Sequence, residues 1–256
     1  MPNDSDQSWP TLAAQQAHQV PTISSPSTLS PKSDVYVLME IMVVLSIGVF
    51  PTLFSSLSNF LISDIQINYP FKFTALYLIF RSAWVCLPLT FIIWRSQDSW
   101  SYFGLTRPSW IKEFLYGVGI WVAGSIACWF LWAVLFLLDK ELFTASLSQV
   151  ARIFRPPVSI FEQGLLVIAC CANGFCEEMT MRGYLIPRFS SLLGNTWKSV
   201  ILTAILFGCY HSYQGIGGIL NATLLGVIYG FAFVRLKRIW PVATAHAIAD
   251  FAGWMW

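Results

Sequence analysis

The chain has 256 residues, 56% of them hydrophobic and 11% charged, with a mean hydropathy of +0.61 and a net charge of +2. Soluble domains carry about 25% charged residues, so the composition excludes an ordinary water-soluble globule, and the absence of a basic block excludes nucleic acid as a partner. The apolar runs are solid rather than alternating. This excludes a β-barrel and predicts an all-α, polytopic transmembrane helix bundle, because only helices and closed barrels satisfy the backbone in lipid.

Residues 1–34, "MPNDSDQSWPTLAAQQAHQVPTISSPSTLSPKSD", are rich in Ser, Pro, Thr and Gln and hold one basic residue, Lys32. They lack the regions of a signal peptide and the arginines of a transit peptide. A disordered polar tail is expected, with an inert His18.

Residues 35–158 are expected to form N-terminal transmembrane spans, at about 35–58, 73–94 and 114–138. Pro51 is placed to kink or split the first. Glu40 and Arg81 are charges within spans; they are expected to pair with each other or to snorkel, and are assigned no chemistry. Residues 159–256 read as a helical core with spans near 160–187, 199–214, 218–235 and 239–256. The expected total is about seven to eight spans, each roughly 16 to 28 residues against the ~20 needed to cross. In "GILNATLLGVIYG", Gly218, Ala222, Gly226 and Gly230 recur every four residues, a small-residue stripe for close helix packing.

With the N-terminus inside, Lys32, Arg95, Arg107, Lys112, Arg188, Lys198, Arg235, Lys237 and Arg238 fall on the inner side. Lys72, Lys140, Arg152 and Arg155 fall on the outer side. That asymmetry predicts a cytoplasmic N-terminus. Trp240, Trp254 and Trp256 suit interfacial anchoring. The six cysteines all lie in apolar runs and read as buried free thiols.

Ionisable residues inside a membrane are costly and default to function. Three groups stand out in the core: Glu177, Glu178 and Arg182; His211, four residues after Phe207; and His246 with Asp250. Glu178 and Arg182 are four apart on one helical face, a structural ion pair, and Glu177 is turned about 100° away. His246 and Asp250 also share a face, and Phe207 packs on the side of His211. At ~1.5 Å per residue, Glu177, His211 and His246 lie roughly 16, 20 and 12 Å from Arg188, Lys198 and Arg238, taken as marks of the inner surface. One polar intramembrane chamber accommodates all three groups, with the fourth span running through "EEMTMRGYLI" to near Pro187.

"EEMTMR" resembles the EExxxR motif, "FGCYH" the FxxxH motif and "HAIAD" the HxxxN/D motif of the CPBP family, the type 2 CAAX prenyl proteases and bacteriocin-processing (Abi) enzymes. The order is the family's, and the resemblance covers about residues 160–256. It implies an intramembrane endopeptidase. Glu177 would be the general base on water, His211 would hold or activate that water, and His246 and Asp250 would line the oxyanion side. Prenyl-protease members carry Asn at the last position. An ionised Asp250 would repel an oxyanion, which leaves it to orient His246 or to act protonated.

Amide hydrolysis needs an activated water, an oxyanion donor and an acid for the leaving amine. No Ser or Cys has a base at nucleophile spacing. No cofactor is expected, or else a single divalent metal such as zinc, with Glu177, His211, His246 and Asp250 as candidate ligands. The expected partners are the lipid bilayer and a peptide, lipidated or membrane-protein substrate, in a bacterial plasma membrane. A proton-coupled transporter, or a non-catalytic immunity or scaffold protein, is the alternative.

Overall fold

The computed structural model describes residues 33–62, 70–153 and 156–255, with the side chains of residues 150–153 excepted. Residues 1–32 of the expected N-terminal tail, with His18 and Lys32, lie outside the described residues, as do Arg155 and Trp256. Among the described residues there are eight helical rods and no strand. They are α1 (Asp34–Leu61), α2 (Phe71–Ser96), α3 (Trp110–Leu138), α4 (Lys140–Ile153), α5 (Ile160–Leu193), α6 (Thr196–Tyr210), α7 (Gly215–Leu236) and α8 (Ile239–Met255).

Rods α1, α2, α3 and α5, and α7 together with the short turn before it, are long and apolar enough to cross a membrane. Helix α6 is apolar but shorter, about 22 Å at the α-helical rise. Outward faces carry exposed Trp84, Leu87, Trp129, Phe130 and Leu137, the inverse of a water-soluble surface and suited to lipid contact. The expected bundle is therefore present, and five helices of spanning length with shorter ones beside them are roughly consistent with the seven to eight spans read from the sequence.

Two prolines shape the rods without breaking them. α1 passes through a π turn at Leu45–Val49 and α5 through another at Met179–Leu185. Each ends two residues before a proline, Pro51 or Pro187. A proline removes the amide that would bond four residues back and pushes against that carbonyl, and a widened turn accommodates both effects. The first span thus runs on from Asp34 to Leu61 and is not split.

Helix α4 falls between the expected spans. Asp139 caps it, its carboxylate accepting the Leu142 amide at 2.9 Å. The expected span at 199–214 stops at Tyr210, and His211 leads into a single 3-10 turn, Ser212–Gln214. Gly215, at φ 79°, takes the left-handed conformation that lets α7 start at once.

Small residues set how closely the core helices approach. A Cβ on Gly226 would lie 2.9 Å from Ala204 Cα, where α7 crosses α6, and one on Gly230 would lie 2.8 Å from Val200 Cγ1. A Cβ on Gly174 would lie 2.9 Å from the Ala247 amide, where α5 crosses α8. The small-residue stripe does the packing expected of it.

The intramembrane charges do not pair as expected. Glu40 forms an ion pair with Arg188 at 2.8 Å and accepts from the Tyr184 hydroxyl at 3.3 Å, while Arg188 also holds Asp98 at 2.8 Å. Arg188, read as a mark of the membrane surface, is 3% exposed. Arg238 is partly buried against Glu113 at 2.6 Å. The tryptophans at the ends of α8 pack inward as well. Trp254 meets Phe71 edge-on, and Trp240 stacks on Phe175 while donating to the Thr106 carbonyl at 2.7 Å. A buried indole needs such an acceptor.

Candidate active site

Glu177 and Glu178 close the last α-helical turn of α5 before its π turn, both buried. Their neighbours come from three other helices. α2 brings Arg81, the end of α6 brings Phe207, Tyr210 and His211, and α8 brings His246 and Asp250.

Glu178 is fully buried and bonded twice through one oxygen. Oε1 accepts from Arg182 Nη1 at 2.7 Å and meets His246 Nδ1 at 2.7 Å. The expected ion pair is present and survives the π turn that contains Arg182. The bond to His246 was not foreseen: from the sequence, Glu178 served Arg182 alone. It occupies one ring nitrogen and leaves Nε2 for the site, 3.6 Å from Glu177 Oε2 and 3.4 Å from Asp250 Oδ1. Arg182 also lies over the Phe207 ring, 4.5 Å from its centre, a cation held against an aromatic face.

The two oxygens of Glu177 have different surroundings. Oε1 accepts from the Tyr210 hydroxyl at 2.5 Å and from Arg81 Nη1 at 3.2 Å. Oε2 is buried and has no hydrogen-bond partner within the protein among the described residues. A carboxylate oxygen left in that position is costly, and it lies beside the His246 ring.

Asp250 does not stand alone with His246. Its Oδ2 accepts from Asn173 Nδ2 at 2.9 Å, and Asn173 Oδ1 accepts from Arg81 Nη1 at 3.0 Å. Arg81 Nη2 in turn bonds the Tyr210 hydroxyl. His211 caps α6. Its Nδ1 lies 2.8 Å from the Phe207 carbonyl, its ring is 4.5 Å from that of Phe207, and it lies within electrostatic range of Glu177, His246 and Asp250. The Phe207 ring is also 5.8 Å from that of His246, so it forms a wall shared by both histidines. Two guanidinium groups and three carboxylates meet here, and an imidazolium at His246 would close the charge balance.

Glu177, His211, His246 and Asp250 are thus brought into one partly buried cluster by three helices. Arg81, Asn173 and Tyr210 were not singled out for the site. Arg81 carries no assigned chemistry in the sequence, where pairing with Glu40 or snorkelling is expected, and the structure pairs it with Glu177. Asn173 lies four residues before Glu177, a same-face spacing that could have marked it. Tyr210 carried no signal beyond adjacency to His211.

Among the described residues, no three His, Cys, Asp or Glu side chains are arranged to hold a metal ion. The four candidate ligands do not fit a zinc site as they stand, and no chemistry is derived through one.

The family model described as Rce1-like, type II CAAX prenyl endopeptidase, matches residues 161–252. No curated protein and no solved structure matches the chain. The matched segment runs through α5 to α8 and holds all three motifs, while Arg81 lies outside it. The match supports a CPBP-family protease, as the motifs implied, and thus a peptidase in general terms. With five helices able to cross a membrane, the protein is an integral membrane protein.

Proposed function

We propose that this protein is an intramembrane endopeptidase of the CAAX-protease type that hydrolyses a peptide bond with water activated by Glu177. The observation that carries the reading is the asymmetry of that carboxylate. Oε1 is bonded twice, and Oε2 is buried, unbonded within the protein and 3.6 Å from His246 Nε2.

Water bound at Oε2 gives up a proton to Glu177 as its oxygen attacks the substrate carbonyl. His211, with Nδ1 held by the Phe207 carbonyl, offers Nε2 to steady that water. The developing oxyanion is met by His246 in its imidazolium form, with Nδ1–H held by Glu178 and Nε2–H turned to the site. One such donor in a dry site lowers the barrier by about 2.7–4 kcal/mol. Collapse of the tetrahedral intermediate breaks the C–N bond. The proton taken by Glu177 passes to the leaving amine, so water is divided between a new carboxyl and a new amine. Asp250 buttresses His246 on its Nε2 side and is itself anchored by Asn173.

The substrate is a peptide, lipidated or membrane protein whose scissile bond reaches the bilayer interior. The membrane is a bacterial plasma membrane, with the N-terminus on the cytoplasmic side. The test uses purified protein in liposomes and a fluorogenic farnesylated CAAX peptide. Wild type cleaves it and Glu177→Gln, which keeps the shape but not the base, does not. Equal cleavage by the two would end the proposal.

A further inference from the structure

We infer that Arg81, on a helix outside the matched segment, is a positioning residue that holds the Glu177 carboxylate charged and turned so that Oε2 faces the reacting water. The inference rests on the glutamate-peptidase reading and assigns the part of the site that the motifs do not contain.

Both hydrogen bonds to the Glu177 carboxylate go to the same oxygen. Arg81 Nη1 and the Tyr210 hydroxyl both donate to Glu177 Oε1, and Arg81 Nη2 reaches Tyr210, closing a three-residue ring of bonds. None of them touches Oε2. Oε1 accepts both bonds, and Oε2 is left 3.6 Å from His246 Nε2, the ring that also faces Asp250.

The same guanidinium reaches the opposite end of the cluster. Nη1 also donates to Asn173 Oδ1, and Asn173 passes the contact on to Asp250 Oδ2. One planar fork thus sets the spacing between the proposed base and the acid beside His246. Lysine, a single point charge, cannot make these bonds in the same directions. The side chain is 12% exposed and its cation sits 5.5 Å from the Tyr210 ring centre, so water does not substitute for it. In such surroundings a carboxylate without its cation is strongly disfavoured.

Full-length wild type, Arg81→Met, Arg81→Gln, Arg81→Lys and the double variant Arg81→Met/Glu177→Gln are reconstituted in liposomes. Infrared spectroscopy in H2O and D2O reads the carbonyl stretch of a protonated carboxylic acid. Arg81→Met gains such a band relative to wild type, and the double variant loses it, which assigns the band to Glu177. Arg81→Gln, which retains amide donors and serves if the Met variant does not fold, gains the same band. Arg81→Lys keeps the carboxylate but lowers kcat on the farnesylated peptide at least tenfold, with KM changed less than twofold. A folded Met or Gln variant without the new band, or a Lys variant with wild-type kcat, overturns the inference. If wild type fails to cleave any peptide, the peptidase reading fails, whereas the infrared result still decides whether Arg81 governs Glu177.

Discussion

Glu178 and His246 are joined at 2.7 Å between Oε1 and Nδ1, and this contact decides which nitrogen of the histidine looks toward Glu177. A buried carboxylate behind the ring holds its orientation. The second acid of the EExxxR-like stretch is therefore tied to the proposed chemistry as firmly as the first. Its partner Arg182 compensates the charge, and neither side chain is more than 1% exposed.

Glu178→Gln retains the volume but removes the charge that steadies His246 and Arg182. Cleavage should fall by about 10²–10⁴, the range for a wrongly held catalytic histidine. Arg182→Met strips buried Glu178 of its guanidinium partner, and should cost about 3–5 kcal/mol of stability. Thermal unfolding in detergent, measured beside kcat, separates the two effects.

Asp250→Asn should retain cleavage within about tenfold of wild type. The new amide oxygen still accepts from Asn173, so the anchor persists, and loss of one exchangeable hydrogen bond costs about 1 kcal/mol. Asp250→Leu strands the Asn173 amide and should reduce kcat/KM well beyond the Asn variant. Equal activity of the Leu and Asn variants would show that Asp250 has no part in the site.

Gly174→Ala places a methyl 2.9 Å from the Ala247 amide nitrogen. Backbone cannot step aside as a flexible side chain can, so α5 and α8 must separate by several tenths of an ångström. The helices should still form, because alanine favours them. The contacts from Glu177 and Glu178 to His246 should lengthen, and activity should fall more than thermal stability. Gly164→Ala, whose Cβ meets nothing within 4 Å, is the control.

Glu40→Gln removes a carboxylate from the buried Arg188 and leaves Asp98 as its remaining charged partner. The expected loss is about 1–3 kcal/mol, that of a weakened buried polar contact. Cleavage at temperatures below unfolding should be unchanged, since this cluster lies on α1 and α5 away from His246. A fall in kcat with unaltered stability would tie the cluster to the site.

Local spacing was informative wherever both partners share a helix. Glu178 with Arg182 and His246 with Asp250 are four residues apart and meet as the helical period requires. The apolar runs marked most spans, because a span must be apolar over a length the bilayer sets. Helix α4 was missed because its apolar positions are interleaved with polar ones, so no solid run announced it.

Pairings between helices were not legible. Arg81 with Glu177 and Glu40 with Arg188 replace the pair that charge alone suggested. The double role of Glu178, and the recruitment of Asn173 and Tyr210, were hidden for the same reason.

By itself the sequence determined that the chain is a membrane helix bundle, which residues are costly within it, and which of them share a helical face. Those properties follow from composition and from a period of 3.6 residues, and both are local. Only the tertiary structure decided which faces meet, because the rotation and depth of each helix are set by close contacts such as Gly174 against Ala247 and Gly226 against Ala204. A turn of about 100° moves a side chain to a different neighbour, so the partners of Glu177 exist only once those contacts are made.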